Sequence, residues 1–170
     1  MNKTYDILII DDEEVIINAI NMIATFNEYT TVSATKPQKA LSLLEETTFN
    51  LIVTDIMMPE MDGFQFLEIV NQRKIKTPVI MTTGYSTLEN AVLALNSGAI
   101  AFVPKPFTLE ELTSVFKRGM EYSKIFDKMS SQSSGDDLLS IIPCPPKYFR
   151  LGFDSWMNER AILYRKMEKI

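Results

Sequence analysis

Two acidic positions in this chain follow apolar runs directly. Asp55 closes Leu51-Ile52-Val53-Thr54, and Asp11-Asp12 follow Asp6–Ile10, DILII. Thr82-Thr83 and Lys105 stand just after two further apolar runs. A polar group at the carboxyl end of a buried strand faces the loops where open α/β sheets place their chemistry. Three carboxylates gathered there repel one another and raise one another's pKa unless a cation compensates. Mg²⁺ is the natural compensator, because it takes a few hard oxygen ligands and keeps waters that a phosphate can replace. Lys105 adds an ammonium and Thr83 a short hydroxyl donor. A carboxylate nucleophile, a divalent cation, an ammonium and a hydroxyl together make a phosphoryl-transfer site, each group offsetting part of the charge on the transferred oxygens. Asp55 is the carboxylate best placed to be phosphorylated, and Asp11 and Asp12 read as metal ligands. A blander alternative is that Asp11–Glu14 is only a solvated acidic start to a helix.

The elements that must position these groups are legible as an alternation. Strands are expected at Asp6–Ile10, Tyr29–Ala34, Leu51–Thr54, Thr77–Thr82 and Ile100–Val103. Between and after them the apolar residues recur at helical spacing, over Glu13–Phe26, Lys36–Glu46, Met61–Gln72, Thr87–Asn96 and from Thr108 to about Lys128. Thr35 and Pro37 suit the cap and first turn of the second helix. Ser97-Gly98 is a stop signal for the fourth. Thr108 with Glu111 reads as a capping box for the fifth, and Asp62-Gly63 as a turn before the third. Five strands alternating with five helices predict a parallel sheet covered on both faces. The right-handed crossover rule then brings Asp11, Asp12, Asp55, Thr83 and Lys105 to one edge. Thr82 should point the other way.

The runs ILIIDDEE, LIVTDIMMPEMDG, PVIMTTGYS and FVPKPF, in that order, resemble the receiver domain of bacterial two-component response regulators over about residues 4–127. The separations of 28 residues from Asp55 to Thr83 and 50 from Asp55 to Lys105 fit that family. The resemblance implies a flavodoxin-like (βα)5 doubly wound sheet with strand order 2-1-3-4-5. It implies Asp55 as phosphoacceptor, and Asp11, Asp12, Asp55 and the backbone carbonyl of Met57 as Mg²⁺ ligands. Thr83 and Lys105 would contact the phosphoryl group. Phe102 would sit at an aromatic switch position, the alternative being a plain core aromatic. Met57 and Tyr85 occupy positions that influence phosphate lifetime, and two bulky groups there imply slow self-dephosphorylation. Lys105-Pro106 is a candidate cis bond. The partners implied are a sensor histidine kinase or phosphotransfer protein, and a second copy or downstream protein on the face of the fourth helix, fifth strand and fifth helix.

Composition narrows the alternatives. The absence of histidine excludes Ser-His-Asp triads and histidine acid–base catalysis, and with one cysteine it excludes most zinc sites. The lone Cys144 cannot form an internal disulfide, which with the lack of a membrane-length apolar run leads to the expectation of a cytoplasmic protein. A net charge of -5 argues against a general nucleic-acid surface. The expected organisation is a receiver at 1–128, a Ser-rich linker at 129–147 and a helical extension at 148–170. In that extension Trp156, Leu163, Met167 and Ile170 share one stripe. Two rival readings are a DNA-binding regulator cut short and a phosphatase of the haloacid-dehalogenase type. The latter needs a second acid two residues after the nucleophile, where this chain has Met57.

Overall fold

The structure, a computed structural model, describes the backbone of residues 4–131 and the side chains of residues 4–124. The chain divides into two units, Met1–Lys124 and Ile125–Ile170. Residues 129–131 of the expected linker continue α5, while residues 132–147, the apolar stripe of the extension and Cys144 lie outside the described residues.

Strands β1 (Thr4–Ile10), β2 (Thr31–Ala34), β3 (Thr48–Asp55), β4 (Val79–Thr83) and β5 (Ala101–Pro104) alternate with helices α1 (Glu14–Phe26), α2 (Pro37–Glu46), α3 (Gly63–Gln72), α4 (Leu88–Asn96) and α5 (Leu109–Ser131). All four strand pairings are parallel, in the order β2-β1-β3-β4-β5. The chain leaves β1 toward β2 on one side and comes back to β3 on the other. The carboxyl ends of β1 and β3 therefore flank the point where the winding reverses.

Alternation along the strands sorts the core into two layers. Leu8, Ile10, Ile52 and Met81 point to one face, against Ala40 of α2, Phe66, Leu67 and Val70 of α3, and Ala94 of α4. Ile7, Ile9, Leu51, Val53 and Ile80 point to the other, against Ile17 and Ile20 of α1 and Leu112 and Phe116 of α5. β1, β3 and β4 are buried on both faces, which is why their central residues are aliphatic without a break. The positions that become polar at their carboxyl ends thus have no packing reason to be so.

Local details correct several expected boundaries. Thr35 does not cap α2: Lys36 takes the cap place, with extended backbone and no side-chain cap bond, because the residue before Pro37 is driven out of the helical region. α3 starts at Gly63 rather than Met61, behind a capping box. There the Asp62 carboxylate accepts from the Gln65 amide (2.8 Å) and the Gln65 side chain accepts from the Asp62 amide (3.0 Å). β3 begins at Thr48, three residues early, because Thr48 and Phe49 pair with Thr4 and Tyr5. Thr108 and Glu111 form the expected box at α5, and Ser97 ends α4 ahead of Gly98 at φ 108.

Candidate functional site

The parallel register delivers the site. Ile10 pairs with Thr54, so Asp11 emerges level with Asp55; Asp55 pairs with Thr82, and Thr83 lies one residue further out on β4. The Lys105 amide donates to the Thr83 carbonyl at 2.7 Å, which carries the β4–β5 ladder one step past β5. The bond from Lys105 to Pro106 is cis.

Asp11 is fully buried and Asp55 is only 3% exposed, whereas Asp12 faces solvent. One carboxylate oxygen from each of the three lies within 4.8 Å of the other two. Lys105 Nζ donates to Asp11 Oδ2 at 2.7 Å and stands 3.1 Å from Asp55 Oδ1. The second contact has the distance of an ion pair but not the angle of a hydrogen bond, so Asp55 Oδ1 is a buried oxygen without a hydrogen-bond partner. Asp11 is better satisfied, since its Oδ1 accepts from the Glu13 amide at 3.0 Å. Burial pushes the carboxyls of both Asp11 and Asp55 above the usual range, against the pull of Lys105. Burial also works to lower the Lys105 ammonium, but the hydrogen bond and charge of Asp11 and the charge of Asp55 together raise it.

These features test whether Mg²⁺ fits. The donors are hard oxygens on three chain positions, and an octahedral Mg²⁺ spaces its ligands about 3–4 Å apart, so the carboxylates need only a small contraction. The orphaned oxygen of Asp55 is the kind of buried acceptor that a cation or a phosphoryl group would satisfy. The residues present fit the ion.

The remaining expected residues are at the rim or beneath it. Thr83 is buried, its hydroxyl oxygen accepting from the Tyr85 amide at 3.1 Å. Thr82 instead directs its hydroxyl back to the Thr54 carbonyl at 3.4 Å, a structural use. Met57 and Tyr85 are 58% and 71% exposed, while Met58 turns into the core. Phe102 is half-buried against the α2–α4 layer, paired on the strand with Met81.

Two contributors were not singled out in the sequence. Glu13, third in a run of four acids, brings Oε1 to 3.9 Å from Lys105 Nζ. Gly63 packs against the Asp55-Ile56 backbone, donating its amide to the Ile56 carbonyl at 2.9 Å. Asp62-Gly63 had signalled only a turn.

Comparison with known proteins agrees with this geometry. The response regulator receiver domain family matches residues 7–117. Regulatory protein AtoC of Escherichia coli (strain K12) is 36% identical over 115 residues, which cover 68% of this chain but 25% of that protein. The chain thus spans about a quarter of the length of that relative. Among solved structures, a CheY-like receiver domain protein from Methanospirillum hungatei JF-1 aligns with a TM-score of 0.65 at 33% identity, covering 73% of this chain and 98% of that one. The beryllofluoride-activated NtrC4 receiver domain dimer aligns with a TM-score of 0.66 at 30% identity, covering 69% and 98%. The chain belongs to the response regulator receiver domain family.

Proposed function

We propose that this chain is the phosphoacceptor module of a two-component relay, and that Asp55 takes a phosphoryl group from the phosphohistidine of a sensor kinase or phosphotransfer protein. The observation that carries the reading is the buried Asp55 carboxylate, one oxygen of which lacks a hydrogen-bond partner 3.1 Å from the Lys105 ammonium. In the transfer, an Asp55 oxygen forms a bond to phosphorus as the bond from phosphorus to the donor imidazole nitrogen breaks. The electron pair leaves with the imidazole, and Asp55 becomes an acyl phosphate. Asp11, Asp12, Asp55 and the Met57 carbonyl would hold Mg²⁺, which would supply positive charge to the phosphoryl oxygens. Lys105 exchanges part of its contact with Asp11 for the new oxygens, and the Thr83 hydroxyl donates to one of them. No second acid follows Asp55 at the place where a phosphatase of the haloacid-dehalogenase type needs one.

Phosphorylation then works as a switch by biasing two arrangements of the β4–α4–β5 edge. Thr83 turns from Tyr85 toward the phosphate, and Phe102 repacks beneath. Leu88, Leu93 and Leu109 are exposed large apolar side chains on α4 and α5. They make this face suitable for a second copy or a downstream protein. Past the end of α5 at Ser131, the rest of the expected linker, 132–147, serves as a linker and 148–170 as the segment that the switch acts upon. The test is sizing of the chain with Mg²⁺, with and without BeF₃⁻ as a phosphoryl mimic. A change of size or assembly state in wild type that is absent in Asp55→Ala supports the reading, and an equal response in both removes it.

A further inference from the structure

Glu13 is a poor choice for the place it occupies. It is the N-cap of α1, where Ser, Thr, Asp or Asn normally accept from the first helical amides, and its side chain makes no capping bond. The carboxylate lies instead 3.9 Å from Lys105 Nζ, while the Glu13 amide donates to Asp11 Oδ1 at 3.0 Å. A residue that breaks a local rule while touching both Lys105 and Asp11 has its explanation in the site. Of the three carboxylates around Lys105, those of Asp11 and Asp55 are buried and that of Glu13 is 65% exposed. Glu13 is therefore the solvent-exposed member of the carboxylates around Lys105.

The charge count gives this position a meaning. Asp11, Asp12 and Asp55 are balanced by Lys105 and one divalent cation, so Glu13 is surplus negative charge. We propose that Glu13 is a specificity-determining residue that disfavours free, strongly anionic small phosphodonors relative to a donor held on a protein; this rests on the phosphoacceptor reading of Asp55. A small donor dianion meets the Glu13 charge with nothing to offset it. A protein donor spreads its contacts over a surface and offsets the same repulsion elsewhere. Because the carboxylate is largely exposed, solvent screens it and the effect is small, about two- to five-fold in rate at low salt.

The test compares wild-type chain with Glu13→Gln, each with Mg²⁺ at pH 7. Phosphorylation is followed by intact mass with acetyl phosphate, a dianion, and separately with phosphoramidate, a monoanion. The expected result is that Glu13→Gln speeds labelling by acetyl phosphate about two- to five-fold and labelling by phosphoramidate less. The difference between the two proteins in the ratio of donor rates should shrink as salt is raised, because salt screens the Glu13 charge that only wild type carries. An equal change with both donors, no change, or a ratio insensitive to salt overturns the role of Glu13 and leaves Asp55 standing. Failure of either donor to label wild type on Asp55 overturns the phosphoacceptor reading itself, and the role of Glu13 with it. Since the side chain makes no cap bond and its contact with Lys105 is long and solvent-screened, unfolding midpoints of the two proteins should differ little, which separates a filter from a structural effect.

Discussion

Gly63 lies against the main chain of Asp55: a Cβ added at Gly63 would run into the Asp55 carbonyl oxygen and stand 2.9 Å from Ile56 Cα. Both neighbours are backbone, so neither can rotate away. The turn that starts α3 is thus pressed onto the end of β3, and the position of Asp55 depends on a residue eight places downstream. Gly63→Ala should cost about 1–3 kcal/mol, as overpacking does, and slow phosphorylation of Asp55 beyond what the fraction unfolded explains. Urea unfolding and a labelling time course on the same protein check this. Unchanged stability would show that the loop yields freely.

Lys105 holds two buried carboxylates that burial alone would leave uncompensated. Lys105→Ala should destabilise the Mg²⁺-free protein at neutral pH by on the order of 3 kcal/mol. The sign of its pH dependence follows from the raised carboxyls of Asp11 and Asp55. A carboxyl raised on folding favours the folded state below its unfolded pKa, and that contribution is lost as pH rises through the folded value. Without the ammonium both are raised further, so the variant should recover stability as pH falls from 7 toward the ordinary carboxylate range. Added Mg²⁺ should stabilise the variant more than wild type. Thermal unfolding across pH, with Mg²⁺ or EDTA, measures both, and a pH-independent deficit would contradict the account.

Asp6 behaves in the opposite way. Burial works to raise its carboxyl, but the hydroxyl and amide of Thr30 and the Asn50 amide donate to it and together hold it below the ordinary value of 3.8. Its contribution is present above that value and is lost as pH falls through the lower folded one. These bonds tie β1 to the turn before β2 and to β3. Asp6→Asn should cost about 1–2 kcal/mol at pH 7, with the gap to wild type closing under acid. A gap that persists at the lowest pH where the protein folds would point to packing instead.

The rim should govern how long the phosphoryl group lasts. Met57 and Tyr85 are bulky and carry no acid or amide to orient an attacking water. The phosphorylated chain with Mg²⁺ should therefore decay slowly, and Met57→Asn or Tyr85→Ala should shorten its life several-fold. Loss of the added mass over time measures this. A wild-type half-life of seconds would contradict it.

The fold and most of the site were readable because both rest on strong patterns. Strands buried on both faces must be apolar, so Asp11, Asp55, Thr83 and Lys105 stood out at their ends, and the winding rule brought those ends to one edge. What was not readable depends on contacts remote in sequence. β3 extends back to Thr48 only because Thr4 and Tyr5 pair with it. Lys36 displaces Thr35 as the cap because Pro37 drives the residue before it out of the helical region. Glu13 looked like one acid among four, and only the approach of Lys105 from 92 residues away separates it from Glu14. Gly63 looked like a turn, and nothing local reveals that its missing side chain makes room for Asp55.

The most direct measurement is the mass of the intact chain after incubation with acetyl phosphate and Mg²⁺, followed by borohydride reduction and peptide mapping. One phosphoryl group should add, none should add when EDTA replaces Mg²⁺, and the reduced residue should be Asp55. Asp55→Asn should take up none at that position. Labelling of Asp55→Asn equal to wild type, or a label mapped to Asp11 or Asp12, would contradict it.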